Sequence, residues 1–217
     1  MASASTETRP TPPVEAPPRK APFVLASASP RRLELLRGAG FEPEVEPADI
    51  DDGSLILGNV GAAATATSLA FFKARRVAEA RARRGAPAAW ILAADTVCER
   101  DGGVLGKPPD AEAARKMIRS LANRRHGVIT GWCLLAPSGA TDIGRDAATV
   151  EIGEIDGADL ERFLAEGRWQ GKAGGYNLPE VAARGWPVRC EGDPRTVVGL
   201  PLAQIAPVLR RVLGGAS

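Results

Sequence analysis

Leu25-Ala26-Ser27-Ala28-Ser29-Pro30-Arg31-Arg32-Leu33-Glu34-Leu35-Leu36 joins a predicted strand to a predicted helix, and that junction sets the fold class. The apolar run Phe23 to Ala26 reads as a short buried strand. Ser29 is a favoured N-cap residue, and Pro30 fits the first helical position, where a missing N–H costs nothing. Leu33 and Leu36 then share one helical face. Arg31 and Arg32 fall in the first turn, at the positive end of the helix dipole. Acidic residues are the usual occupants of that turn. An anion resting on the free N–H groups and the two guanidinium groups would resolve the conflict, and a phosphate chain has the right chemistry. Taken alone, the stretch fits equally well a capped helix with two solvated arginines.

Downstream of this junction, strands and helices alternate. Gly38 to Gly40 stop the first helix. Phe41 to Val45 reads as a second strand leading to the acidic turn Asp49-Ile50-Asp51-Asp52. A long helix is expected over 60–84, with Leu69, Phe72 and Val77 as its apolar stripe. Ala88 to Ala94 reads as a central strand ending at Asp95-Thr96, and Asp101-Gly102-Gly103 as a hairpin turn. Asp110 caps a helix to about Leu121. Strands follow over 126–135 and 147–152, then a helix over 156–166. Trp169 to Tyr176 is a glycine-rich break. Trp186 to Cys190 reads as a strand, Gly192 to Thr196 as a loop and Leu200 to Leu213 as a closing helix. This interleaving predicts an α/β fold.

Composition narrows the function. The 217 residues are 44% hydrophobic and 25% charged, which suits one or two compact domains. A formal net charge of +2 is too mild to argue for nucleic acid or a membrane surface as partner. No apolar run approaches the ~18 residues of a membrane span. Three cysteines without metal spacing read as free thiols in a reducing, cytoplasmic setting. A single histidine, His126, excludes a multi-histidine metal site and leaves a carboxylate as the better candidate base. Residues 1–22, rich in Pro, Ser, Thr and Ala, are expected to form a disordered tail ahead of a domain over 23–217. That tail lacks the basic and apolar segments of a secretory signal.

Chemistry-bearing residues stand at strand ends and in glycine-rich loops. Asp95, after an apolar run, is placed to hold a divalent metal, to take a proton from water, or simply to cap a turn with Thr96. Lys107, between Gly106 and Pro108, and Lys172, beside Gly171 and Gly174-Gly175, are candidate point charges for phosphate or ordinary surface lysines. Neither a Walker P-loop nor a dinucleotide-binding glycine fingerprint is present.

The motifs S-A-S-P-R-R-L-E-L-L (27–36), L-A-F-F-K-A (69–74), A-A-D-T-V (93–97), L-G-K-P (105–108), H-G-V-I-T-G (126–131), K-A-G-G-Y (172–176) and V-V-G-L-P-L (197–202) occur in that order. Together they resemble the Maf family of nucleoside triphosphate pyrophosphatases, also described as septum-formation inhibitors, over about residues 23–213. The resemblance implies a Maf/ITPase-like fold, a mixed twisted sheet flanked by helices with a nucleotide-binding cleft between two lobes. It implies hydrolysis of a nucleoside triphosphate to monophosphate and pyrophosphate, a divalent cation (Mg²⁺ or Mn²⁺), and a homodimer. Carried over, Asp95 is the catalytic acidic residue, activating water or holding the metal. Ser29, Arg31, Arg32, Lys73, Lys107 and Lys172 bind the phosphates, and Asp52 stands where the family often has a second acidic residue, as a further metal contact. The alternative is a nucleotide-binding regulator of division with little turnover.

One departure bears on the substrate. Where pyrimidine-preferring members carry a glutamine after the tyrosine, this chain reads Asn177-Leu178-Pro179-Glu180, with Pro179 at the glutamine's place. A proline side chain neither donates nor accepts. The expectation is therefore a modified or non-standard nucleotide in a housecleaning role, with Asn177 and Glu180 as candidate base contacts.

Overall fold

The computed structural model describes residues 21–50 and 60–214. The tail expected over 1–22 lies outside the described residues except for Ala21 and Pro22, and Asp52 also lies outside them. Pro22 already belongs to the folded body, since its carbonyl accepts from the Trp90 N–H at 2.8 Å.

Among the described residues, seven strands form one mixed sheet. They are β1 (Phe23–Leu25), β2 (Glu44–Val45), β3 (Trp90–Arg100), β4 (Gly103–Leu105), β5 (Arg124–Leu135), β6 (Thr141–Ile152) and β7 (Val188–Glu191). The order is β2-β1-β3-β5-β6-β7, with β4 paired to the far half of β3. β1 runs parallel to β2 and β3, and every other pairing is antiparallel. The helices are α1 (Pro30–Gly38), α2 (Ala62–Arg83), α3 (Ala111–Leu121), α4 (Gly157–Ala165), α5 (Leu178–Ala183), α6 (Pro194–Val198) and α7 (Leu202–Leu213).

Period-two alternation along the strands assigns the two faces of the sheet. Val24, Ile91, Ala93, Cys133 and Leu135 point one way, onto Ala70, Ala74 and Val77 of α2. Leu25, Leu92, Ala94, Trp132 and Leu134 point the other way, onto Leu36 of α1 and Leu202, Ile205 and Leu209 of α7. At the far end of the sheet, α3, α4 and α5 close a second core around Ile118, Leu121, Phe163 and Val181. Each fully buried Leu, Ile or Phe contributes about 1.5–3 kcal/mol on leaving water. The two lobes thus share one sheet, the first packed on both of its faces and the second closed at its far end.

Several local expectations need correcting. The second strand is confined to Glu44–Val45, because Pro43 has no N–H for a ladder. Phe72 does not belong to the apolar stripe of α2, being 46% exposed. The buried face of that helix runs Ala66, Leu69, Ala70, Lys73, Ala74, Val77 and Arg81, with two cations inside it. The expected loop 192–196 is largely the start of α6, capped where Asp193 Oδ1 accepts from the Arg195 N–H at 2.9 Å. The run after Tyr176 forms α5, whose N-cap Asn177 accepts from the Glu180 N–H at 3.2 Å. The central strand does not end at Asp95; β3 continues five residues further.

Candidate active site

The extra length of β3 makes the site. β1 pairs with Trp90–Leu92 and β4 with Cys98–Arg100. Among the described residues no strand pairs with Ala93–Val97 on that edge. A cavity of about 510 Å³ opens at this gap, just past the carboxyl end of β1. Asp95 lies at the middle of the gap, in mid-strand rather than at a strand terminus or turn, and is 4% exposed. Strand alternation places Asp95 with Ile91 and Ala93, on the face covered by α2.

There it meets Lys73. The ammonium lies 2.5 Å from Asp95 Oδ1, and Lys73 is 8% exposed. Burying either charge alone would be prohibitive, so each group makes the other's position possible.

The predicted phosphate-binding residues converge on the same cavity. Ser29, Arg31, Arg32, Lys73, Lys107 and Lys172 all line it, with Asp95 and Asn177. Ser29 is the N-cap of α1, but its hydroxyl makes no cap hydrogen bond, contrary to its usual use. The first turn of α1 holds no acidic residue. Arg31 Nε is buried and, among the described residues, lacks a hydrogen-bond partner. Arg32 Nε donates to the Gly199 carbonyl at 2.8 Å and Nη1 to Ser27 Oγ at 3.0 Å.

Two loops from the second lobe form the opposite wall. Gly106 and Lys107 follow β4, and Lys172 precedes a single 3₁₀ turn at Ala173–Gly175. The Gly174 N–H donates to the Gly106 carbonyl at 3.1 Å, so the two lysine-bearing loops are one unit. Gly174 has φ +73°, and a Cβ there would stand 2.7 Å from Cys98 Sγ. Tyr176 anchors the end of this unit, its hydroxyl 2.6 Å from Nε2 of buried His126. Burial, with Arg100 nearby as a second cause, pushes the His126 ring down to about 4, so it stands neutral and structural. Burial also pushes the Cys98 thiol up to about 12. Cys98 lines the cavity but offers no thiolate nucleophile.

Lys172 is salt-bridged to Glu180, which lies outside this cavity. Pro179, Glu180 and Asn177 line an adjoining groove with Arg31, Arg195 and Leu202. Three lining residues carried no functional weight in the sequence. Asp49 stands at the cavity lip with φ +48°, a conformation that Asp tolerates better than most residues. Thr96, read as a turn residue, faces Arg32, and Gln170 lies beside the Lys172 loop. The sequence signals were indirect: the acidic run for Asp49, the motif 93–97 for Thr96 and the glycine-rich break 169–176 for Gln170.

Among the described residues, the cavity lining carries five cations (Arg31, Arg32, Lys73, Lys107, Lys172) and two carboxylates (Asp49, Asp95). That excess fits a polyanion carrying more charge than a single phosphate. The donor set also fits a hard divalent cation. Carboxylate oxygen is the preferred ligand of Mg²⁺, which is commonly held by one or two carboxylates together with substrate phosphates. Asp95, with Asp49 in the same cavity, would hold it. Among the described residues, no cluster of three or more His, Cys, Asp or Glu side chains forms a metal cage.

The family profile described as Maf-like protein matches residues 22–212. A protein named dTTP/UTP pyrophosphatase from Paramagnetospirillum magneticum is 40% identical over 193 residues, covering 86% of this chain and 95% of that protein. A protein named nucleoside triphosphate pyrophosphatase from Rhodococcus opacus is 38% identical over 200 residues, covering 88% of this chain and 90% of its own. A solved HAM1 protein from Coxiella burnetii matches with a TM-score of 0.48 at 18% identity, covering 88% of this chain and 99% of that one.

Proposed function

The chain belongs to the Maf-like protein family, and we propose from that premise that it hydrolyses nucleoside triphosphates to the monophosphate and pyrophosphate. The observation that carries the reading is the cavity itself: one buried carboxylate, Asp95, ringed by Arg31, Arg32, Lys73, Lys107 and Lys172.

Ser29 and the N-terminus of α1, with Arg31 and Arg32, grip the phosphate chain from one lobe, and Lys107 and Lys172 approach it from the other. The unpartnered Arg31 Nε–H gains its acceptor from a phosphate oxygen. Asp95, oriented by Lys73, holds the attacking water and takes its proton as oxygen adds to the α-phosphorus. Pyrophosphate leaves toward the lysines, whose charge offsets that developing in the transition state. A bound Mg²⁺ or Mn²⁺ supplies Lewis-acid polarisation of the phosphoryl oxygens. Asp52, outside the described residues, remains a proposed further ligand.

Pro179 supports a base other than thymine or uracil, the bases named for several relatives. Asn177 and Glu180 are the proposed base contacts, and modified or non-standard nucleotides the proposed substrates. Among the described residues, no helix is long and apolar enough to cross a membrane. Three free thiols support a reducing, cytoplasmic setting, and a homodimer is the proposed assembly.

The test is pyrophosphate release with Mg²⁺ or Mn²⁺ over ordinary, methylated and deaminated nucleoside triphosphates. One preferred substrate, with activity abolished in Asp95→Asn, is the expected result. Wild-type rates in Asp95→Asn would overturn the role of Asp95. No pyrophosphate from folded, nucleotide-bound protein would favour a regulatory binder.

A further inference from the structure

Five hydrogen bonds close a ring on Arg32. Its Nη2 donates to Thr96 Oγ1 at 3.2 Å, and the Thr96 and Thr130 hydroxyls lie 2.8 Å apart. Thr130 Oγ1 donates to the Thr196 carbonyl at 2.7 Å, and that carbonyl also accepts from the Gly199 N–H at 3.1 Å. The Gly199 carbonyl accepts from Arg32 Nε at 2.8 Å, completing the circuit.

The direction of every proton in the ring is fixed. Arginine only donates, so Thr96 must accept from it. A carbonyl only accepts, so the Thr130 proton goes to Thr196. The Thr96 proton is then left for Thr130. Such a one-way chain polarises along its length, and its members strengthen one another in a dry site. The rear of the ring is dry, with Thr130 and Thr196 both 0% exposed, while Arg32 and Thr96 are partly buried where the ring meets the cavity.

The ring is also braced from behind. Thr96, Thr130 and Asp146 are cross-strand neighbours in register on β3, β5 and β6. Asp146 Oδ2 accepts from the Thr196 hydroxyl at 2.5 Å, and Oδ1 from Gln204 Nε2 at 3.3 Å. A row of polar groups therefore crosses three strands and ends at the cavity. Gly199, at φ +117°, closes the ring where a Cβ would stand 3.2 Å from both Arg32 Nε and Thr96 Oγ1.

We propose that Thr130, with Thr96 in front of it and Asp146 behind, is a positioning residue that fixes the plane of the Arg32 guanidinium for the substrate phosphates. The proposal rests on Arg32 being a phosphate ligand, as argued above. A fixed fork meets the triphosphate without reordering, and its misplacement by about 1 Å is enough to cost ~100-fold in rate.

The test is a double-mutant cycle in kcat/KM, read with thermal unfolding of each variant. Thr130→Val keeps the shape and removes the hydroxyl, Thr130→Ser keeps the hydroxyl, and Arg32→Lys cannot close the ring. Thr130→Val is expected to lose about 10- to 100-fold in kcat/KM. Thr130→Ser is expected to stay near wild type. The double variant Arg32→Lys/Thr130→Val is expected to be no worse than Arg32→Lys alone. Losses that multiply in the double variant, or a Thr130→Val enzyme as active as wild type, would overturn the proposal. Should Thr130→Val not fold, Asp146→Ala takes its place in the same cycle, with a smaller loss that again vanishes in the Arg32→Lys background and is overturned by the same outcomes. Arg32→Lys at wild-type kcat/KM would overturn the reading of Arg32 itself, and the proposal with it.

Discussion

Lys73 and Asp95 form a 2.5 Å ion pair between the buried face of α2 and the middle of β3, with both side chains at least 90% covered. Lys73→Met is therefore expected to destabilise the protein by about 3–5 kcal/mol, because it strands a buried carboxylate. The double variant Lys73→Met/Asp95→Asn should recover most of that loss. Denaturant unfolding of the three variants checks this. A Lys73→Met protein as stable as wild type would show that the pair is not the buried interaction described.

Stability should depend on pH through His126. Its ring is pushed down to about 4 in the fold, against about 6.5 for an ordinary histidine, chiefly by burial. Between those values the unfolded chain binds the proton and the folded chain does not. The histidine contribution is thus fully present above about pH 6.5 and is lost as pH falls through about 4, amounting to about 3 kcal/mol. Urea unfolding at pH 7 and pH 4.5 should show it, and His126→Gln should flatten that part of the profile. An equally steep profile in the variant would assign the dependence to other groups.

The stitched lysine loops make Gly174 sensitive. Gly174→Ala combines a left-handed φ, a 2.7 Å approach to Cys98 Sγ and a threatened hydrogen bond to Gly106. The conformation alone costs about 1–2 kcal/mol. Substrate KM should rise at least tenfold as Lys107 and Lys172 lose their common frame. Unchanged KM would mean that the two loops hold their lysines independently.

If Lys172 binds the phosphates as proposed, Glu180 competes with substrate for it, since the two are salt-bridged beside the cavity. Glu180→Gln removes that competing carboxylate, and KM for the preferred triphosphate should fall about two- to tenfold. The ranking of bases should change as well if Glu180 contacts the base. A higher KM with the same ranking would contradict both roles.

The sequence made the strand–helix junction at Ser29-Pro30 legible because the fit of a proline to the first helical position is local, although the Ser29 hydroxyl makes no cap bond. Asp95, Lys107 and Lys172 were legible as polar residues in apolar or glycine-rich surroundings. Lys73 was visible only in the company of the other motifs, because a lysine on a helix looks solvated until the sheet that covers it is known. Phe72 failed for the complementary reason. Periodicity ranks residues by polarity, whereas α2 buries Lys73 and Arg81 against carboxylates and leaves Phe72 outside. The place of Asp95 was misjudged because the gap between β1 and β4 is a property of strand pairing. The ring around Arg32 escaped for the same reason, since Arg32, Thr96, Thr130 and the Thr196–Gly199 turn meet only through tertiary contact.

The position of attack is the most direct test of the account. The protein is turned over with its preferred triphosphate and Mg²⁺ in water enriched in heavy oxygen, and both products are weighed by mass spectrometry. Water held by Asp95 against the α-phosphorus predicts one heavy oxygen in the nucleoside monophosphate and none in the pyrophosphate. Label in the pyrophosphate, or release of orthophosphate and nucleoside diphosphate, would contradict it.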